Sequence, residues 1–97
     1  MAYDPGAIEA TLAAAVGDDP GLIAELRIAL VDSAERALAQ MEAATTGDAW
    51  SEAAWRLKGL AASFGAVRLM TLATEAAAAA RPDAVLLGRI KRVVSRL

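Results

Sequence analysis

Apolar residues recur along most of this chain at spacings of three and four positions, the period of an amphipathic helix. The longest such run predicts a helix over residues 20–45. Asp19 and Pro20 are favourable at its N-cap and first position, and Gly47 is predicted to close it in the left-handed conformation. Its inward positions are predicted to be Leu22, Ile23, Leu26, Leu30, Ala34, Ala37, Leu38 and Met41.

The same period predicts four further helices, over residues 5–16, 49–64, 66–80 and 83–97. Asp4 and Asp48 are the predicted N-caps of the first and third helices, and Gly17 and Gly65 are their predicted ends. Pro82 breaks the chain before the last helix. The inward positions of the first, fourth and fifth helices are predicted to be Ile8, Leu12, Ala15, Leu69, Leu72, Ala73, Ala76, Leu86, Ile90, Val93, Val94 and Leu97.

The connections between these predicted helices are only a few residues long. Short connections make successive helices antiparallel neighbours. The predicted fold is therefore all-α, an antiparallel up-down four-helix bundle. The first helix is too short to be one of the four bundle helices and is predicted to cap one end of the bundle. A length of 97 residues suits a single domain over residues 1–97.

The composition removes several kinds of chemistry. The chain has no cysteine and no histidine, so disulfides, thiolate sites, histidine-based catalysis and the usual zinc and haem ligands are missing. We expect no cofactor and no metal. We also expect no enzymatic activity, because the scattered carboxylates and hydroxyls have no base to activate them.

The chain begins without the basic and apolar regions of a signal peptide, and it has no uncharged apolar run near the roughly 20 residues that span a bilayer. A cytoplasmic protein without a membrane partner is expected.

The charge is unevenly distributed along the chain: residues 1–54 carry a net −8 and residues 55–97 a net +6. These halves are expected to face each other inside a bundle, and the acidic pI of about 5.0 argues against a nucleic-acid partner.

The third predicted helix carries a tryptophan on its outward face. On a wheel of about 100° per residue, Trp55 lies opposite the arc that holds Leu57, Ala61 and Phe64. Small side chains leave a flat strip beside the indole, and tryptophan is enriched among interface hot spots, so the pattern predicts a protein-docking patch. The neighbours of Trp55 on this face are Ser51, Glu52, Lys58, Gly59, Ala62 and Ser63.

Other interpretations of the two tryptophans stay open from the sequence. In the alternative interpretation, Trp55 is an ordinary surface residue whose side chain folds over Arg56 or Glu52 or lies under the first helix. A single exposed apolar residue needs no functional explanation. Trp50, near the start of the same helix, is predicted to pack at the end of the bundle.

The segment AAWRLKGLAASFGA at residues 53–66 resembles the signature helix of histidine phosphotransfer (HPt) domains. DDPGL at residues 18–22, TGD at residues 46–48 and Leu69 extend the resemblance over nearly the whole chain. In that family a surface histidine carries a phosphoryl group, a lysine three residues later balances its charge, and a small residue four later lets a receiver domain approach. Lys58 and Gly59 match these last two roles, whereas Trp55 stands in place of the histidine.

The resemblance implies a degenerate member, a pseudo-HPt, because an indole N–H has no basic lone pair to accept a phosphoryl group. It implies a non-catalytic protein of two-component phosphorelay signalling that binds a response-regulator receiver domain or a histidine kinase as adaptor or competitor. We expect a monomer or weak homodimer. The expected partner-binding residues are Trp55, Lys58, Gly59, Ala62, Glu52 and Arg56.

Two further functions remain open at this point. The chain is alternatively a helical protein-interaction or dimerisation module with unrelated partners, in which Trp55 contacts a twin subunit. It is alternatively a histidine-to-tryptophan variant of a true phosphotransfer protein.

Restoring the histidine tests how far the chain departs from the family. We expect Trp55→His to accept a phosphoryl group from a phosphorylated receiver domain, because Lys58 and Gly59 are retained around that position. Transfer of radioactive phosphate to the variant is the measurement, with the parent chain and Trp55→Ala as unlabelled controls. An unlabelled histidine variant would show that more than one residue of the transfer site has been lost.

Overall fold

The computed structural model describes residues 5–17, 19–79 and 81–97. Within these residues the chain forms five α-helices and no strand, which confirms the all-α class. The helices are α1 (Pro5–Val16), α2 (Pro20–Ala43), α3 (Gly47–Ser63), α4 (Val67–Ala79) and α5 (Ala84–Val94). The predicted caps and ends that fall on Asp4 and Ala80 lie outside the described residues.

Two aspartates cap helix starts by accepting backbone hydrogen bonds. The Asp19 carboxylate accepts from the amides of Gly21 at 2.9 Å and Leu22 at 3.2 Å, which confirms the predicted start of α2. Asp83 accepts from Val85 and Leu86 in the same way. It is therefore the N-cap of α5 rather than its first residue.

The junction between α2 and α3 differs from the prediction. Gly47 does not close α2, which ends at Ala43; Gly47 is the first residue of α3. The N-cap is Thr46, whose hydroxyl oxygen accepts from the Ala49 amide at 3.1 Å, and not Asp48. Thr46 has the extended backbone that a cap requires, whereas Asp48 lies inside the first turn, where its charge favours the helix dipole.

Glycines follow the ends of α1 and α3, as predicted, and both are left-handed. Gly17 has a φ of 75° and Gly65 a φ of 69°, a region that side chains with a Cβ rarely adopt. Helix α5 stops at Val94 instead of the predicted residue 97. The last residues form tighter turns, in which the backbone amide of Arg96 donates to the Val93 carbonyl at 3.0 Å.

The core lies among α2, α3, α4 and α5, which contact one another in a closed ring. Helix α3 packs on α2 and α4, α5 packs on the same two helices, and α1 packs on α2. Trp50 is 1% exposed, and its indole N–H donates to the Ala76 carbonyl at 2.8 Å, which confirms it as a packing residue that ties α3 to α4. The largest fully buried side chains are Trp50, Ile8, Leu12, Leu30, Met41, Leu57, Leu69, Leu72 and Ile90.

Some predicted core positions are not buried. Ala15 is exposed in the last turn of α1, beyond the buried Leu12. Leu22 is exposed because it lies about 80° around α2 from Leu30 and so points off the buried stripe. Five other predicted core residues are only partly buried: Ile23, Leu26, Phe64, Val93 and Leu97.

Removing the observed cap of α3 tests the corrected junction. We expect Thr46→Ala to lower the free energy of unfolding by about 1 kcal/mol, because the Ala49 amide loses its acceptor. Thr46→Ser keeps the hydroxyl and is the matched control. Urea denaturation followed by circular dichroism measures both. A larger loss for Asp48→Ala than for Thr46→Ala would contradict the assignment.

Candidate functional site

Helix α3 separates a buried face from an exposed one, as the wheel predicted. Ala54, Leu57 and Ala61 are fully buried against the core, while Trp55 is 55% exposed. The burial of one arc determines the direction of the other, because residues on a helix have fixed angular positions. Trp55 therefore projects from the part of α3 that faces away from the core.

The side chain of Lys58 covers part of the indole. Its Nζ lies 4.4 Å from the centroid of the Trp55 ring, within the range of a cation–π contact. At an exposed position such a contact is worth about 0.5–1 kcal/mol. The stacking partner of the indole is thus Lys58, one turn along, and the site presents a positive charge and an aromatic ring together.

Gly59 has no packing role that a side chain would disturb. It is exposed on α3, and a Cβ built at this position meets nothing within 4 Å. A glycine in a helix interior costs about 1 kcal/mol relative to alanine. Nothing among the described residues requires a glycine at this position.

The strip beside Trp55 continues along α3 with small side chains. Ala62 and Ser63 are exposed, and the Ser63 hydroxyl donates to the Gly59 carbonyl at 2.9 Å. That hydrogen bond turns the hydroxyl toward its own helix. The strip is therefore low in bulk and offers little hydrogen-bonding capacity to compete with an apolar partner surface.

On the α2 side of the site, Arg56 makes a cross-helix contact. Its Nη1 donates to Oε1 of Gln40 on α2. Beside this contact lies a groove of about 400 Å³ between α2 and α3. The groove is lined by Ser33, Arg36, Ala37, Gln40, Arg56 and Leu60.

The groove adds Arg36 and Gln40 to the candidate site. Neither residue was among the partner-binding residues predicted from the sequence. They are four residues apart on α2 and hence share a face, which was readable from the chain. Which helix that face lies against depends on tertiary packing. Arg36 forms an ion pair with Asp32 on α2, so its guanidinium is held at the rim of the groove.

Toward α4 the surroundings of the site are neutral. The Ser51 hydroxyl donates to the Ala77 carbonyl of α4 at 3.4 Å. On α4 the exposed Thr71 and Thr74 hydroxyls donate to carbonyls of their own helix, and Val67 is exposed beside them. The positive charge of the site is therefore concentrated at Lys58 and toward α2.

The predicted site residues are distributed around Trp55 as follows. Lys58, Gly59 and Ala62 lie on its outward face, and Arg56 lies toward α2. Glu52 is exposed one turn before Trp55, with no ion-pair partner among the described residues. No interaction ties Glu52 to the basic residues, so it contributes a separate negative charge at the N-terminal side of the patch.

Two kinds of feature are missing from the described ranges. They contain no cluster of three or more acidic, histidine or cysteine side chains that would hold a metal ion. None of their helices combines the length and the apolar character that crossing a membrane requires.

No protein-family model, curated protein or solved structure matches this chain.

Substituting Gly59 separates stability from function at this site. We expect Gly59→Ala to raise the free energy of unfolding by up to about 1 kcal/mol, because the added methyl group meets no neighbour and the helix gains propensity. Gly65→Ala is the contrasting control and should destabilise, since its φ is positive. Urea denaturation measures both. Destabilisation by Gly59→Ala would mean that the glycine serves packing within the chain.

Proposed function

We propose that this chain is a non-catalytic HPt-like protein of two-component phosphorelay signalling. It binds a response-regulator receiver domain or a histidine kinase, as an adaptor or a competitor, without carrying phosphate. The observation that carries the proposal is the exposed Trp55, stacked by Lys58 and followed by the unhindered Gly59, on the outward face of α3.

The arrangement of the helices supports an antiparallel four-helix bundle of α2 to α5 capped by α1. The closed ring of contacts is the packing that such a bundle has. Two contacts join the start of one helix to the end of its neighbour: Trp50 early in α3 bonds Ala76 late in α4, and Arg27 early in α2 donates to the Leu97 carbonyl after α5.

The chemistry of the chain supports binding without transfer. Phosphotransfer in the HPt family needs an imidazole lone pair as nucleophile, and this chain has no histidine. The indole nitrogen of Trp55 is a hydrogen-bond donor and has no lone pair for that step. A complex formed at this surface is therefore not released by turnover of a phosphoryl group, which is the property of a competitor or an adaptor.

A receiver domain is a suitable partner because of the chemistry that it presents. As the resemblance implies, it offers an acidic phosphoacceptor pocket beside an apolar helix. The Lys58 ammonium would face the carboxylates, the indole of Trp55 would pack on the apolar helix, and Gly59 would let that helix approach. Arg56, whose partner Gln40 is neutral, extends the positive charge toward the same partner.

The proposal is tested by titrating receiver domains of the source organism into the protein and following tryptophan fluorescence. Trp50 is buried and reports little, so we expect the emission of Trp55 to shift to shorter wavelength when it is covered. Trp55→Ala lacks the fluorescent reporter, so calorimetric titration measures its affinity beside that of the parent chain. We expect this variant to bind roughly 30-fold or more weakly, the loss typical of a hot-spot residue. Leu22→Ala, at an exposed apolar position outside the site, is the matched control.

Two results would overturn the proposal: no receiver or kinase domain binds, or Trp55→Ala binds as tightly as the parent chain. Sedimentation of the protein alone distinguishes the dimerisation alternative. If self-association occurs and Trp55→Ala abolishes it, the patch contacts a twin subunit and the receiver proposal fails.

A further inference from the structure

The groove between α2 and α3 is rich in hydrogen-bond donors and has no acidic side chain in its wall. It lies beside Trp55, because the next residue, Arg56, forms part of it. Its lining residues, all of them in the described part of the chain, are Ser33, Arg36, Ala37, Gln40, Arg56 and Leu60. A hydroxyl, an amide and two guanidinium groups thus line one space of about 400 Å³.

The charge of Arg56 is not neutralised within the described residues. Its Nη1 donates to the neutral Oε1 of Gln40, and it forms no ion pair there. Glu52 lies four residues earlier on α3, at the spacing of a helical ion pair, but is not bonded to Arg56. A guanidinium has five N–H donors, so most of those on Arg56 are available to an acceptor from outside.

The Ser33 hydroxyl has no acceptor among the described residues. The hydroxyls of Ser63, Thr71 and Thr74 each donate to the carbonyl four residues earlier in their helices. Ser33 makes no such bond, although it is half-buried in the wall of the groove. Because buried polar groups are normally satisfied, this hydroxyl is suited to donate to a molecule that fills the groove.

The donors are spread along the groove over the length of a short peptide segment. Ser33 and Gln40 are seven residues apart on α2, which is about 10 Å along the helix axis. An extended chain covers that distance in about three residues. One small anion cannot reach both ends, whereas a peptide segment can.

The floor of the groove is apolar. Ala37 is 6% exposed and Leu60 is half-buried, and both line the groove between the polar groups. The methylene groups of a side chain can pack there, which a free inorganic ion cannot use. The other arginine of the wall, Arg36, is paired with Asp32, so Arg56 is the one unneutralised charge among the lining residues.

We propose that this groove binds a short acidic segment of the partner protein that covers Trp55. One carboxylate of the segment lies against the Arg56 guanidinium in a charge-assisted hydrogen bond. A main-chain carbonyl of the same segment accepts from the Ser33 hydroxyl, and its aliphatic groups pack on Ala37 and Leu60. The unneutralised charge of Arg56 is what selects an acidic occupant.

This inference rests on the proposed function and adds a second point of contact to it. At about 100° per residue, Arg56 and Lys58 lie about 160° apart around α3, on either side of Trp55. The carboxylate that meets Arg56 is therefore separate from those that meet Lys58. A partner that used only its phosphoacceptor pocket would leave the groove empty.

Calorimetric titration of the receiver or kinase domain that binds the parent chain tests the inference. We expect Arg56→Gln to weaken binding by roughly tenfold or more, the loss expected for a hydrogen bond to a charged group. Ser33→Ala should weaken it by roughly threefold, because a neutral hydrogen bond contributes less. Arg89→Gln removes the same charge from an exposed position on α5 and is the matched control. Circular dichroism checks that each variant folds.

A charge exchange identifies the carboxylate on the partner. Arg56→Glu should bind at least as weakly as Arg56→Gln, because it places like charges opposite one another. Each acidic residue on the surface of the partner domain is then replaced by lysine in turn. One of these replacements should weaken binding to the parent chain and restore binding to Arg56→Glu. In nuclear magnetic resonance spectra of the labelled parent chain, the side-chain N–H signals of Arg56 and Gln40 should shift when the partner is added.

The outcomes separate this inference from the proposed function. If Trp55→Ala loses binding while Arg56→Gln and Ser33→Ala bind like the parent chain, the proposed function stands and the groove inference fails. Equal losses for Arg56→Gln and Arg89→Gln would reveal only an effect of net charge and would also overturn it, as would the lack of any restoring lysine variant. If no receiver or kinase domain binds the parent chain, both proposals fail.

Discussion

The burial of one face of α3 is the constraint on which the rest of the molecule depends. Leu57 and Ala61 are fully buried in the core, and Trp50 adds a hydrogen bond to the α4 backbone at the beginning of α3. Once these side chains are inside, the rotation of α3 is determined. Trp55 has to project outward, and Lys58 has to lie one turn beyond it.

The two tryptophans show how position gives one residue type two roles. Trp50 is enclosed, and its N–H finds a carbonyl, as a buried indole requires. Trp55 has no such enclosure and is covered in part by the Lys58 ammonium. A buried indole stabilises the fold, whereas a half-exposed indole beside a charge and a glycine is suited to contact with a partner.

Much of this arrangement could be predicted from local patterns. The helices, the cap at Asp19 and the helix ends at Gly17 and Gly65 follow from interactions within a few residues. The N-cap of α3 was predicted wrongly because two neighbouring residues are both suited to that position. Thr46 and Asp48 are both good capping residues, and backbone conformation decided between them. Leu22 follows the apolar pattern approximately, but its angle on α2 leaves it exposed.

The amino-acid sequence alone determined the helical period, the absence of any imidazole nucleophile and the outward position of Trp55 on its helix, because these depend on composition and on angles within one helix. Tertiary packing decided which helices are neighbours. It brought Gln40 and Arg36 to the edge of the Trp55 site, and it set Glu42 of α2 beside Lys91 of α5. Those contacts join residues far apart in the chain, and local periodicity carries no information about which faces meet across such distances.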